Sequence, residues 1–349
     1  MSEAIPGGST GATAMSIPVL AMTASDFSSA QEVRWCPGCG DYSILSQLKQ
    51  ALASFGVRRE NIVFVSGVGC AARMPHYINT FGFQGSYGRA PALATGVKLA
   101  NPNLQVWVVM GDGDACSAGL THLTHALRRN VDLKILLINN EVFGLSRGQQ
   151  SPTSRVGTCT KTSPDGSVET PLRAVSIALA AEATFVARTV DVDVNHMSEI
   201  FEKAAMHRGS GFVEIYQNCK IFNDGVFEYA TDAVIKTDSI IHLEHGRPIL
   251  FGKDRNHALR LNGFEPEVVT LGQGITMDDV LIHDERAAEP TLAFLLSRLV
   301  GPQFPECLGV FRNVRKPTHQ QLLDAAFQQG DPPRSFESLL AGDESWTLA

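Results

Sequence analysis

Two stretches of this 349-residue chain carry side chains able to do chemistry. The first is Gly111-Asp112-Gly113-Asp114, answered further on by Asn139-Asn140-Glu141-Val142-Phe143-Gly144. Asp112 and Asn140 both offer oxygens, and a Mg2+ ion chelated by a diphosphate takes near-octahedral oxygen ligands. The glycines let backbone approach a phosphate, and a following helix N-terminus favours the negative charge. The plainer alternative is a pair of ordinary βα turns. The second stretch is Trp35-Cys36-Pro37-Gly38-Cys39-Gly40. Cys36 and Cys39 put two thiolates on a tight turn, a spacing that lets both sulfurs face one metal centre. Cys70, in Gly67-Val68-Gly69-Cys70, and Cys219 add two more thiols in loops. Four thiolates suit either tetrahedral zinc or an iron–sulfur cluster. Zinc ribbons usually show two C-x-x-C pairs, whereas here one pair is joined by two distant cysteines.

These residues need elements that deliver them. The apolar run Val106–Met110 leads into Gly111, and Ile135–Ile138 leads into Asn139. Each reads as a buried parallel strand with polar residues at its carboxyl end. In open α/β sheets, ligands bind at those ends. Ile62-Val63-Phe64-Val65 reads as a third such strand and runs into Cys70. Ile44, Leu45, Leu48, Leu52 and Phe55 form one stripe of a helix after Cys39. Further helices are expected from about Pro91 to Ala100, Ser117 to Arg129, Leu172 to Ala181 and Met197 to His207. Strands are expected near Thr184–Ala187 and Gly211–Tyr216, the latter followed by Cys219. Residues 77–90 are turn-rich and aromatic, and Phe143–Thr153 is a polar, glycine-punctuated loop that residues 157–170 extend. A long loop inside a compact domain is often functional.

The alternation predicts an α/β fold, a mostly parallel sheet with helices on both faces. Residues 1–30 read as a flexible segment, 31–225 as the chemical domain and 226–349 as a C-terminal extension. The extension mixes possible hairpins at His242–Phe251, helices near Ala287–Leu299 and His319–Gln328, and an acidic, flexible tail over 330–349. No internal repeat is found.

Composition bounds the function. Hydrophobic content of 44% and charged content of 19% are ordinary for a globular protein. A net charge of −7 gives no electrostatic reason to expect nucleic acid or an anionic membrane as partner. No apolar run approaches the ~20 residues of a spanning helix. The first positive side chain is Arg34, so the N-terminus lacks the basic region of a signal peptide, and a cytoplasmic protein is expected. Seven cysteines at irregular spacing in a chain this size do not suggest a disulfide framework.

The motifs together resemble one family. Trp-Cys-Pro-Gly-Cys-Gly-Asp-Tyr, Gly-Val-Gly-Cys, the GDG…NN signature of thiamine-diphosphate enzymes, and Gly-Leu-Ser-Arg-Gly-Gln-Gln-Ser-Pro-Thr-Ser occur in order. The combination is similar to the β subunit of 2-oxoacid:ferredoxin oxidoreductases over roughly residues 30–225. The last loop looks like the 2-oxoglutarate type.

The resemblance implies a thiamine-diphosphate-binding fold in which Asp112, Asn140 and the Val142 carbonyl hold Mg2+. It implies that Gly69, Gly111, Gly113, Asp114, Gly144 and Leu145 also touch the cofactor. By the same resemblance Cys36, Cys39, Cys70 and Cys219 hold one 4Fe-4S cluster, while Cys116, Cys159 and Cys307 match no ligand position. Arg73 and the Leu145/Arg147 pair face the substrate. Planar guanidinium binds carboxylate with two hydrogen bonds, and Arg89 is a third cation nearby; surface arginines are the alternative. Tyr87 stands where relatives often carry a histidine before Gly-Arg.

The implied reaction is oxidative decarboxylation of a 2-oxoacid, with electrons passed singly through the cluster to ferredoxin and the acyl group passed to coenzyme A. One GDG…NN unit is half of a thiamine site. The pyrimidine-binding domain and its activating glutamate are expected on an α subunit, in an (αβ)2 assembly. Pyruvate or a branched-chain oxoacid is the alternative substrate, and a non-catalytic metal-binding electron carrier is the alternative class.

Overall fold

The computed structural model describes residues 22–272, 274–329, 335–342 and 346. Most of the expected N-terminal flexible segment, and much of the expected tail, lie outside the described residues. Strands are labelled in chain order. They are β1 (Ile62–Ser66), β2 (Phe81–Gln84), β3 (Gln105–Gly111), β4 (Lys134–Asn139), β5 (Val142–Phe143), β6 (Gln149–Gln150) and β7 (Phe185–Val190). They continue as β8 (Gly211–Tyr216), β9 (Ile240–Leu243), β10 (Leu250–Phe251), β11 (His257–Asn262), β12 (Glu265–Thr270) and β13 (Glu306–Asn313). The helices that frame the site are α1 (Asp41–Ser54), α2 (Met74–Tyr77), α3 (Ala90–Ala100), α4 (Asp112–Cys116), α5 (Leu120–Arg128), α6 (Ala174–Ala180) and α7 (Val194–Met206).

The main sheet has the order β2-β1-β3-β4-β8-β7-β13-β9 among the described residues. The pairs from β2 through β7 are parallel, so the carboxyl ends of β1, β3, β4 and β8 share one edge. Strand periodicity splits the core into two layers. Val106, Val108 and Met110 face one layer with Ala94, Leu123, Leu127, Val175 and Leu179 from α3, α5 and α6. Trp107 and Val109 face the other, with Ile44, Leu48 and Leu52 of α1 and Met197, Ile200 and Phe201 of α7. The fold is thus the mostly parallel α/β sheet with helices on both faces that the sequence predicts.

Several details differ from the sequence expectation. The helix placed at Ser117–Arg129 starts earlier and is broken. α4 begins at Asp112, Ser117 leaves helical geometry at φ −103°, ψ −99°, and α5 resumes at Leu120. Both GDGD carboxylates, Asp112 and Asp114, lie in α4, before the break. No hairpin forms within His242–Phe251. Instead β9 pairs parallel with β13, and the hairpin of this region is β11–β12. From the extension, β13 enters the main sheet antiparallel to β7. The aromatic loop 77–90 holds a strand, β2, all four residues of which are exposed on the sheet edge.

Buried charge is paired across the sheet. Arg188 on β7 stands in register with Glu214 on β8, and its Nε donates to Glu214 Oε2 at 2.7 Å. Glu306 Oε2 accepts from the Tyr216 hydroxyl at 2.7 Å beside them. Glu214 Oε1 is left to accept from Asn139 Nδ2 at 2.9 Å. The pair therefore reaches the loop that follows β4.

Candidate functional site

The loops after β1, β3 and β4 enclose a cavity of about 360 Å³. All the residues expected to touch the cofactor line it: Gly69, Gly111, Asp112, Gly113, Asp114, Asn140, Val142, Gly144 and Leu145. Cys70 lines it as well.

Asp112 starts α4 and is 2% exposed. Its Oδ2 accepts from Ser151 Oγ at 2.6 Å and Thr153 Oγ1 at 2.5 Å. Burial raises the Asp112 carboxyl above its ordinary range, and the two hydroxyls only partly offset this. A buried carboxylate held by neutral donors suits a cation beside it. Asn140 Oδ1 accepts from the Val142 amide at 3.2 Å, and its Nδ2 donates to Gln217 Oε1 at 2.8 Å. Asn139 differs in role. Its Oδ1 accepts from the Glu141 amide at 3.0 Å and from Thr153 Oγ1 at 3.2 Å, so it braces the loop and not the cavity.

Asp114 points the other way. Its Oδ1 accepts from the Gly88 amide at 2.6 Å. A Cβ on Gly67 would lie 1.9 Å from its Oδ2, so Gly67 has to be glycine for the carboxylate to fit. Burial pushes the Asp114 carboxyl up to about 6. Tyr87 donates to the Gly113 carbonyl at 3.0 Å, and its ring centroid lies 6.4 Å from that of Phe143, both residues lining the cavity. The Phe143 ring covers Gly113, where a Cβ would come within 2.0 Å of Cε1.

The four expected thiols gather beside the cavity. A Cβ on Gly144 would sit 3.5 Å from Cys70 Sγ and 3.7 Å from Cys219 Sγ. Cys39 lies close enough to Cys70 and Cys219 for their charges to interact, as Cys36 does with Cys70 and Cys219. Burial pushes the Cys70 thiol up to about 11 and also raises Cys39 and Cys219. Backbone amides of Ile221, Phe222 and Asn223 face the Cys219 sulfur and favour its thiolate. Cys36 is the exposed member. Cys116 and Cys307 are buried elsewhere in α4 and β13, and Cys159 is on an exposed loop.

Among the described residues, no three His, Cys, Asp or Glu side chains converge on a site for a single ion. The oxygen donors here are one carboxylate, one amide and one carbonyl. A four-iron cluster takes four cysteine thiolates spread over its irons.

The arginines stand apart. Leu145 lines the cavity and is 45% exposed. Arg73 and Arg147 do not line it. Arg73 Nη1 donates to the Arg34 carbonyl at 2.9 Å. Arg147 is exposed on a left-handed turn at φ 68°. Among the described residues neither forms an ion pair. Sequence reasoning quoted Gly67, Phe143, Ser151 and Thr153 within its motifs but gave them no role, and it missed Gln217. The adjacency of Gln217 to Cys219 is the only signal for the last.

A mostly parallel sheet that delivers Gly-Asp-Gly and Asn-Asn to one cavity defines a thiamine-pyrophosphate-binding α/β protein. The thiamine pyrophosphate enzyme C-terminal TPP binding domain matches residues 67–215. The chain is 47% identical to the 2-oxoglutarate oxidoreductase subunit KorB of Mycobacterium tuberculosis, over 93% of this chain and 88% of that one. It is 42% identical to the 2-oxoacid:ferredoxin oxidoreductase subunit beta of Saccharolobus solfataricus, over 58% of this chain and 68% of that one. A solved 2-oxoglutarate:ferredoxin oxidoreductase from Magnetococcus marinus, with 2-oxoglutarate, coenzyme A and succinyl-CoA bound, superposes with a TM-score of 0.71 at 28% identity. The match covers 92% of this chain and 95% of that one. The chain belongs to the β subunits of the 2-oxoacid:ferredoxin oxidoreductases, an oxidoreductase family.

Proposed function

We propose that this chain is the β subunit of an enzyme that oxidatively decarboxylates 2-oxoglutarate to succinyl-coenzyme A and CO2 and passes the electrons to ferredoxin. The observation that carries this reading is the meeting of two donor sets at one cavity. Asp112, Asn140 and Val142 line it with oxygens, and Cys70 lines it as one of four gathered thiols. The names of the relatives supply the substrate class, and the Magnetococcus enzyme was solved with 2-oxoglutarate and coenzyme A.

In this reading Asp112, Asn140 and the Val142 carbonyl hold Mg2+, and the turn at Gly111 and Gly113 accepts the diphosphate. Thiamine diphosphate, when bound, supplies the electron sink that decarboxylation of a 2-oxoacid requires. Ser151 and Thr153 hold the Asp112 carboxylate in place, and Phe143 with Tyr87 restricts water at Gly113. Cys36, Cys39, Cys70 and Cys219 hold a 4Fe-4S cluster, and its ligation would deprotonate thiols that burial otherwise keeps neutral. Arg73 and Arg147 recognise the carboxylates of the substrate once the α subunit completes the site. That subunit brings the pyrimidine-binding domain and the glutamate that activates the aminopyrimidine, in an (αβ)2 complex in the cytoplasm. No helix of the described residues is long and apolar enough to cross a membrane.

The test is a substrate panel on the anaerobically purified complex with its α subunit, using a low-potential dye. The expected result is coenzyme A-dependent dye reduction with 2-oxoglutarate exceeding that with pyruvate or branched-chain oxoacids. A preference for pyruvate would refute the substrate. Stoichiometric zinc without iron, under iron-replete anaerobic expression, would refute the cluster.

A further inference from the structure

One side chain touches both donor sets. Gln217 follows β8 and is 1% exposed. Its Oε1 accepts from Asn140 Nδ2 at 2.8 Å. Its Nε2 donates to Cys39 Sγ at 3.3 Å and to the Asn218 carbonyl at 2.6 Å. Every hydrogen-bonding atom of this amide is committed, and its backbone amide donates to the Asn139 carbonyl at 2.8 Å.

The orientation of the amide follows from the backbone. The Val142 N–H can only donate, so the Asn140 atom facing it is Oδ1, and Nδ2 turns to Gln217. The Gln217 atom that meets Nδ2 must then be its oxygen, which leaves both Nε2 hydrogens for Cys39 and Asn218. Reversing Gln217 would set two amide nitrogens against each other and leave the Cys39 sulfur without this donor. The local chain leaves little room for such a change. The Gly40 amide donates to the same Asn218 carbonyl at 3.2 Å, and a Cβ on Gly40 would sit 3.0 Å from Gln217 Cγ.

We infer that Gln217 is a positioning residue that serves two centres through one amide: it fixes the Asn140 oxygen toward the metal of the thiamine site, and its N–H to Cys39 Sγ tunes the potential of the cluster. The inference rests on the proposed function above. Outer-shell partners orient metal ligands, and their loss typically costs about 10- to 100-fold in metal affinity or activity. Hydrogen bonds to cluster sulfurs help set the reduction potential, because a donor stabilises the more negatively charged reduced state. Removing the donor therefore lowers the potential.

Two substitutions separate the two roles. Gln217→Leu removes both bonds. Gln217→Glu keeps an acceptor for Asn140 but brings no N–H to Cys39. Both are made in the complex with the α subunit. The cluster midpoint potential is read by redox titration followed by electron paramagnetic resonance, and Mg2+-dependent thiamine diphosphate binding by calorimetry. Gln217→Leu is expected to lower the potential and weaken thiamine diphosphate binding about 10- to 100-fold. Gln217→Glu is expected to lower the potential with binding close to wild type.

An iron-replete Gln217→Glu complex with an unchanged potential overturns the inference. So does a Gln217→Leu complex that binds thiamine diphosphate as the wild type does. Because Glu also adds a charge that lowers the potential by itself, the neutral Gln217→Met replaces Gln217→Leu in the potential measurement if the latter fails to assemble, and an unchanged potential there overturns the inference. A wild-type complex without iron removes the underlying reading, a failure distinguishable from the others because it appears before any substitution.

Discussion

The Thr153 hydroxyl donates to Oδ2 of Asp112 at 2.5 Å, from a loop beyond β6 to the first turn of α4. Ser151 reaches the same oxygen at 2.6 Å. The carboxylate is thereby aimed by residues distant in sequence. Thr153→Val keeps the shape and removes the donor. It should weaken Mg2+-dependent thiamine diphosphate binding about 10- to 100-fold, while Asp112→Ala should abolish it with iron content retained. Calorimetric titration checks both. Normal affinity in Asp112→Ala would exclude it as the metal ligand.

Space at Gly144 sets the second prediction. Its backbone is not left-handed, and an added Cβ would make ordinary contact at 3.5 Å and 3.7 Å with the Cys70 and Cys219 sulfurs. Gly144→Ala should keep the iron content and visible absorption of the proposed 4Fe-4S cluster. Gly144→Leu must place further carbons among the thiols and should lose iron while far-ultraviolet circular dichroism stays that of the wild type. Full iron in the leucine variant would show that the sulfurs do not face one another across this position.

Gly67 sets the third. A methyl group there meets Asp114 Oδ2 at 1.9 Å, and the carboxylate is tied through Oδ1 to the Gly88 amide. Gly67→Ala should cost about 1–3 kcal/mol through overpacking. Gly96→Ala is the control. That helical position has nothing within 4 Å of an added Cβ, and alanine should gain about 0.5–1 kcal/mol there. Denaturant unfolding of the two variants should move in opposite directions.

The fourth concerns acid. His207 is 7% exposed, and burial, with Lys134 nearby, lowers its pKa from 6.5 to about 4. The folded protein keeps the ring neutral, bonded to Thr184 Oγ1 at 2.8 Å. The unfolded chain protonates it below its ordinary pKa. The contribution is therefore complete above about pH 6.5 and disappears as pH falls through about 4, worth about 3 kcal/mol at ~1.4 kcal/mol per unit. His207→Gln should flatten the pH dependence of unfolding across that window. Parallel curves for variant and wild type would contradict the assignment.

The fifth concerns substrate choice. Losing one partner of a desolvated charge pair typically costs about 2–5 kcal/mol. An arginine that reads only the distal carboxylate should matter for 2-oxoglutarate and hardly for pyruvate. kcat/KM for both substrates in Arg73→Ala and Arg147→Ala complexes distinguishes the cases. Equal loss of both activities would point to the shared 1-carboxylate or to the fold.

Much of the site is legible in the sequence because it is built from short motifs at strand ends. Asp112, Asn140, Cys70 and Cys219 each follow a buried strand, so a parallel sheet alone brings them to one edge, whereas Cys36 and Cys39 come from the turn before α1. What the sequence hides is side-chain traffic between loops. Ser151 and Thr153 look like ordinary loop residues until Asp112 is placed beside them. Asp114 reads as a second cofactor aspartate, yet one of its oxygens is spent on the Gly88 amide. β2 escapes a pattern search because Phe81-Gly82-Phe83-Gln84 is exposed and turn-rich on both sides. β13 carries an apolar run, Cys307 to Phe311, but nothing local states that it runs antiparallel to β7.

That strand has a consequence for biosynthesis. β7 is complete when the ribosome reaches residue 190, but its outer neighbour ends only at Asn313. During the interval β7 presents bare N–H and C=O groups on one side, the kind of edge that templates pairing with another chain. Closing it joins segments distant in sequence, a slow class of contact. The nascent chain can therefore hold all four gathered cysteines and the whole Gly-Asp-Gly…Asn-Asn unit while its sheet is still open at one border. A chain stopped at residue 225 would hold these motifs but keep that border open permanently, and it should accumulate as aggregate.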